Sequence, residues 1–287
     1  VVAIVGPEVP LAAAAARRVG AYLDQGGSLL VAASAMIDDE YRPVPSGLEP
    51  LATRAGVVLG NDTVVERAAD ARLPSGVGER FFPRAEEHAI TRGLVSGGAA
   101  VFRVPVSVAQ SLGPAPSPPA GVATAALLLS SEQAFAVDDL RPFLDGRALT
   151  PRARDRRGPL PIAVAAELAP PAPPSRPRAS RAVFLGTPTP ALAPSFRDPA
   201  QRGAQLLVES ALAWLAAEPS LVDVPDKPAV PVGVGLTEAS LREVGRYVLL
   251  YLPATAALLG VIVLLRRRAE ERRARREPRS TDRRGGG

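Results

Sequence analysis

The chain is 287 residues long, 47% hydrophobic but only 4% aromatic, and it has no cysteine and one histidine. Disulfides, thiolate metal sites, cysteine nucleophiles and histidine clusters are thereby excluded. A formal charge of +5 and a pI near 10.3 suggest a nucleic-acid binder. However, ten of the 34 basic residues lie in 266–287 beside four acidic ones, which leaves the remainder close to neutral, and no nucleic-acid partner is expected.

Val1 to Val5 is an apolar run ended by Gly6 and Pro7, which reads as a strand buried on both faces. A helix over Leu11 to Asp24 presents Leu11, Ala15, Val19 and Leu23 on one face and is stopped by Gly26 and Gly27. Ser28 to Ala33 is the next buried strand, so the first thirty or so residues form a βαβ unit. The chain opens on this strand without a leader. A domain exported from the cytoplasm needs an export signal or an upstream membrane segment, so the protein is expected to continue upstream.

A loop from Asp38 to Gly47 leads to a helix near Leu48 to Ala55, and short strands Val57 to Leu59 and Thr63 to Val65 frame the turn Gly60-Asn61-Asp62. Leu73 to Gly98 is irregular. Strands are expected at Ala99 to Val108, Val122 to Ser130, Leu160 to Leu168 and Ala182 to Gly186. The segments GPAPSPPAG and APPAPPSRPRAS between them cannot pair and read as surface loops or a hairpin-like connection. Asp198, Pro199 and Gln201 read as the capping start of a helix running through Ala217. Leu221 to Gly235 is a proline-rich linker, and Thr237 caps the helix that follows.

Tyr247 to Leu265 carries no charge over nineteen positions and as a helix spans roughly 28 Å, close to the hydrocarbon thickness of a bilayer. Arg266, Arg267 and Arg268 follow at once and place the C-terminus on the cytoplasmic side, with membrane lipid as the contact of the basic tail. Four parts are expected: an α/β domain over 1–220, a linker and helix start over 221–245, a transmembrane helix over 246–265 and a basic tail over 266–287. The fold class is α/β with a mostly parallel sheet flanked by helices, a flavodoxin-like or amidotransferase-like three-layer sandwich, plus the terminal membrane helix.

No phosphate loop is present, since neither Gly26-Gly27 nor Gly97-Gly98 has the lysine or the strand-to-helix setting, and Gly6-Pro7-Glu8 is not a dinucleotide fingerprint. His88 lies in the polar stretch EEHAIT and reads as structural. Ser130-Ser131 ends a strand but lacks a nucleophile elbow. The acidic pairs Asp38-Asp39, Glu86-Glu87 and Asp138-Asp139 read as solvated loops. No cofactor, metal or catalytic residue is expected. The carboxyl ends of parallel strands would carry any ligand or partner, which singles out Gly6, Pro7, Gly186 and Thr187, with His88 as a further candidate.

IVGP (4–7), YLDQGGSLLV (22–31), HAIT (88–91), LLLSS (127–131), RRGPLPIAVAAE (156–167), RAVFLG (181–186) and the final LTEAS to LLRRR (236–268) stand in an order that resembles the GldG-like auxiliary components of ABC transporters, related to gliding-motility systems. The resemblance implies an extracytoplasmic, non-catalytic α/β domain at the bacterial inner membrane, working with a separate ATPase and permease. Members often carry Asp-Pro after the second strand and an acid after the glycine of the later one. Here these places read Ala33-Ser34 and Gly186-Thr187, so contacts made by those acids are not carried over. Two other readings are a membrane-tethered hydrolase of amidotransferase-like fold using a serine and His88, and a sensor or adhesion scaffold.

Overall fold

The computed structural model describes residues 1–74, 76–96, 99–100, 102–145, 147, 149–169, 179–217 and 237–274. Most of the proline-rich excursion at 169–180, the linker 221–235, Gly97-Gly98 and the tail beyond 274 lie outside the described residues. The chain divides into two compact units, Val1–Glu238 and Ala239–Gly287. Thr237 and Glu238, expected in the linker and helix start, belong to the first: Thr237 is buried, and the Glu238 N–H donates to the Arg72 carbonyl while its carboxylate accepts from the Arg72 guanidinium.

The first unit is built on six strands: β1 (Val2–Val5), β2 (Ser28–Ala32), β3 (Arg84–Ala85), β4 (Val122–Leu129), β5 (Pro161–Leu168) and β6 (Ser180–Leu185), in the order β1-β2-β6-β5-β4-β3. The β1–β2 and β2–β6 pairs are parallel, whereas β6–β5, β5–β4 and β4–β3 are antiparallel. The sheet is therefore mixed, not mostly parallel as the sequence suggested. A parallel neighbour needs a crossover of a dozen or more residues, usually a helix. The chain between β5 and β6 is shorter than that, and Leu168 pairs directly with Ser180 to close a hairpin.

The expected βαβ unit is present, with helix α1 at Ala13–Asp24. Its end follows from two glycines. Gly26 takes φ +90, the Gly27 N–H reaches the Tyr22 carbonyl (2.9 Å) and the Gly26 N–H reaches that of Leu23 (3.0 Å), which satisfies carbonyls the helix leaves free. Leu23 of the expected face is fully buried and Leu11 and Val19 pack half-buried against the same core, while Ala16 and Gly20, which the sequence reading did not include, are buried beside them. Strand β1 differs from expectation too. It is the edge of the sheet and is not buried on both sides: Val1, Ala3 and Val5 are exposed, and only Val2 and Ile4 pack inward.

Period-two alternation sorts the central strands into two cores. Leu30, Ala32, Val183 and Leu185 face helix α3 (Arg202–Ala216) through Leu207, Ala211 and Leu215. Leu29, Val31, Ala182 and Phe184 face α1 and helix α2 (Glu49–Arg54) through Leu23, Leu48 and Leu51. Helices thus cover both faces at the β2–β6 centre, the three-layer arrangement in that half. Asp198 caps a 3-10 turn, Pro199–Gln201, and α3 starts after it: Asp198 Oδ1 accepts from the Ala200 N–H (2.9 Å) and Oδ2 from Gln201 Nε2 (3.3 Å).

Val57–Leu59 and Thr63–Val65 form as expected, but they do not pair across Gly60-Asn61-Asp62. The first pairs with Leu112–Pro114 and the second with Phe135–Val137. The strand expected over 99–108 is reduced to Ala99–Ala100 and Val106–Ser107; Pro105, with no N–H for a ladder, lies between them.

In the second unit Leu241–Arg266 is one helix long and apolar enough to cross a membrane, with none of its apolar window buried. Its turn Tyr247–Tyr251 is π-helical. Pro253 accounts for this widening, because its ring displaces the carbonyl four residues back. The helical backbone continues through Arg266 to Arg268 as far as Ala274.

Candidate functional site

The parallel strands bring Gly6, Pro7, Gly186 and Thr187 to one edge of the sheet. The Gly6 N–H donates to the Ala32 carbonyl (2.9 Å) and that of Ala33 to the Leu185 carbonyl (3.0 Å). A side chain on Gly6 would meet Pro188 at 3.6 Å. This edge is crossed by the chain's own segment Ser107 to Ser111. The Gln110 N–H donates to the Gly186 carbonyl (2.7 Å), Gln110 Nε2 to the Ala33 carbonyl (2.8 Å) and Thr187 Oγ1 to the Ser107 carbonyl (2.7 Å). Gly186 is required by that approach, because a Cβ there would lie 2.2 Å from the Gln110 carbonyl oxygen. Thr187 and Gln110 are both 1% exposed.

Asp62 fixes the far end of the crossing segment. Its Oδ1 accepts the Ser111 N–H (2.8 Å), and Oδ2 accepts the Ser111 hydroxyl (2.8 Å) and the Arg156 guanidinium. Beside it the Asn61 N–H reaches Gln110 Oε1 (3.3 Å), and Asn61 Oδ1 is buried with no partner among the described residues.

His88 is not part of this edge. Its ring meets Trp214 edge-on at 5.4 Å, the Arg181 guanidinium lies 4.6 Å over the same indole, and Arg181 pairs with Glu167 (3.0 Å). Arg181 lies near the start of β6 and Gly186 follows its end, so the two places are separated by roughly 17 Å of strand. Burial, the largest influence, pushes the imidazole below its ordinary pKa; Glu167 pulls it back up and Arg181 pushes it further down. Nδ1 accepts the Ile90 N–H (3.1 Å).

The serine pair closes the other end of β4. Ser130 Oγ accepts the Leu160 N–H (2.8 Å), while Ser131 gives both its hydroxyl (2.5 Å, to Oε1) and its N–H (2.9 Å, to Oε2) to the fully buried carboxyl of Glu66. Neither hydroxyl meets the His88 ring, whose contacts lie around Trp214. No group of three or more His, Asp or Glu that could hold a metal occurs among the described residues.

A cavity of about 400 Å³, not visible in the sequence, opens beside β3. Phe82, Phe102, Leu94 and Leu128 supply apolar lining, and Asp70, Arg84, Arg103 and Glu132 supply charge. The segment carrying Arg103 is held by α3, for a Cβ on Gly203 would lie 2.2 Å from the Arg103 carbonyl oxygen. The lining comes from six separate stretches of the chain, two of them in the region that reads as irregular, so no periodicity marks it.

No protein-family model matches the chain, and no curated protein matches it. Among solved structures the chain is similar to one described as the mmIFT52 N-terminal domain, at 15% identity and a TM-score of 0.48, covering 75% of each chain.

Proposed function

We propose that the protein is a non-catalytic, membrane-anchored accessory subunit of an ABC transport system, its α/β domain standing outside the cytoplasm of a bacterial cell and binding a partner or substrate. The observation that carries this reading is the helix Leu241–Arg266, apolar and with none of its apolar window buried, joined to a folded domain on one side and to a basic run on the other. A helix apolar all round needs lipid or protein cover. The arginines after it favour a cytoplasmic C-terminus. The order of sequence motifs that resembles the GldG-like components supplies the transport context.

The test is a mild-detergent pull-down of the protein from its native membrane, with partners identified by mass spectrometry. An ABC ATPase recovered together with a multi-span permease is the expected result. Recovery of the protein alone, from membranes where those subunits are expressed, overturns the accessory role.

A further inference from the structure

We infer that the cavity beside β3 is a docking site for an extended segment of a partner protein that carries a basic side chain. The segment adds as a strand to the open side of β3, with its cation between Asp70 and Glu132. The inference stands on the geometry of the cavity and does not depend on the transport role.

Three observations meet here. First, β3 ends the six-stranded sheet: it is bonded to β4 on one side, no strand pairs with its other side among the described residues, and both Arg84 and Ala85 line the cavity. A free strand edge is a template for main-chain pairing with an extended peptide. Pro83, with no N–H, limits the added strand at one end. Second, the register of β4 against β5 shifts on either side of Leu128, the residue that pairs with Ala85 and lines the cavity. Such bulges re-aim side chains and are frequent beside binding sites.

Third, the charges at the cavity are not equivalent. Arg84 is paired with Glu86 (2.8 Å). Arg103 lies 5.5 Å over the Phe82 ring and donates to the Asp70 carbonyl (3.1 Å). The carboxylates of Asp70 and Glu132 have no ion pair or hydrogen bond among the described residues. Arg103 keeps its positive charge, so the two carboxylates outnumber it by one; the charge left over at the rim is negative and calls for a cation. The apolar lining suits the stem of an arginine or lysine, or a neighbouring apolar side chain. About 400 Å³ holds one or two such side chains. Main-chain pairing would supply affinity, and the carboxylates would supply selectivity.

The experiment uses the full chain in detergent and three end-blocked, fluorescently labelled nonapeptides, with binding read by anisotropy. One alternates valine and arginine, one alternates valine and glutamate, and one is the arginine peptide with alternate backbone nitrogens methylated. Saturable binding of the arginine peptide is expected, with at least a tenfold loss on methylation and no saturation by the glutamate peptide. The double variant Asp70→Asn with Glu132→Gln, which keeps the shape of both side chains, is expected to weaken the arginine peptide at least tenfold while leaving the melting temperature unchanged. No saturable binding of the arginine peptide overturns the inference. So does equal binding of the glutamate peptide, of the methylated peptide or by the double variant. Pairing of two copies of this chain along β3, seen as a dimer that the arginine peptide cannot displace, also overturns it.

Discussion

Glu66 and Ser131 are 65 positions apart in sequence, yet the Glu66 carboxyl, with no exposed surface, accepts both the hydroxyl and the backbone N–H of Ser131. The same carboxyl also accepts the N–H groups of Arg67 (2.8 Å) and Ala68 (2.9 Å). It joins the loop after Thr63–Val65 to the end of β4, next to the cavity. Truncation strands buried donors, each costing about 1–3 kcal/mol. Glu66→Ala should therefore lower stability by at least about 3 kcal/mol. Ser131→Ala keeps the backbone bond and should cost about 1–2 kcal/mol. Denaturant midpoints of the two variants check the order; equal effects would remove Glu66 from this role.

Asp62 and Arg156 should respond unequally. Asp62 is buried and serves Ser111 twice, whereas the Arg156 side chain is 42% exposed. Asp62→Ala should cost about 2–3 kcal/mol, because the Ser111 N–H is left buried without its acceptor. Arg156→Ala should cost about 1 kcal/mol or less. Thermal unfolding of both variants decides, and an Arg156 effect as large as that of Asp62 would contradict the assignment.

Gly203→Ala tests how the cavity wall is held. An ordinary helix interior gains from this change, but here the methyl group would lie 2.2 Å from the Arg103 carbonyl oxygen. The backbone must move apart, and a loss of about 1–3 kcal/mol is expected. Increased hydrogen exchange at 102–104 should accompany it; a stabilised variant would mean that the contact is not tight.

The pH dependence of stability should contain a contribution from His88. Its pKa in the folded state is lowered, chiefly by burial, from an ordinary value near 6.5. Above that value both states are neutral and the contribution is fully present. As pH falls through 6.5 the unfolded chain takes up a proton that the folded chain refuses, so stability declines until the lower folded value is reached. His88→Gln should flatten the melting temperature between pH 7.5 and pH 5 relative to the native chain. An unchanged slope would show that other groups set it, Glu167 and Arg181 being the charged residues that act on His88.

On the proposed anchoring by the helix Leu241–Arg266, charge placed in its apolar run should detach the protein from the bilayer. Arginine at mid-helix costs about 2.5–3.5 kcal/mol on insertion scales. The pair Val261→Arg and Ile262→Arg should move the protein from the carbonate-resistant membrane fraction to the supernatant. Persistence in the pellet would argue against spanning by this helix.

What could be read from sequence was what neighbouring residues decide among themselves. The β1–α1–β2 unit and the Gly26-Gly27 stop are local, and the apolar helix is marked by an uncharged run that needs no distant partner to be read. Strand order is not local. The edge position of β1 depends on what pairs with β2, and an apolar VVAIV run looks the same at an edge as in the centre. Strand direction was partly readable, because a connection as short as the one before Ser180 favours a hairpin over a helical crossover. Gly6, Pro7, Gly186 and Thr187 do share an edge, but Ser107 to Ser111 lying across it could not be foreseen. Gln110 gives no signal in sequence that it will reach the Ala33 carbonyl. The cavity was hidden for the same reason.

The central position of β2 also has a consequence for the order of events during biogenesis. Leu29, Leu30 and Val31 are buried between β1 and β6, and Ser28 pairs with Arg181. That partner is made roughly 150 residues later, a separation that makes folding slow. During synthesis the first βαβ unit exists with one side of its most apolar strand bare. A chain stalled before residue 185 cannot complete the sheet. The N-terminal unit is therefore prone to aggregate for most of its emergence, and truncations ending before β6 should be recovered as aggregates or degraded.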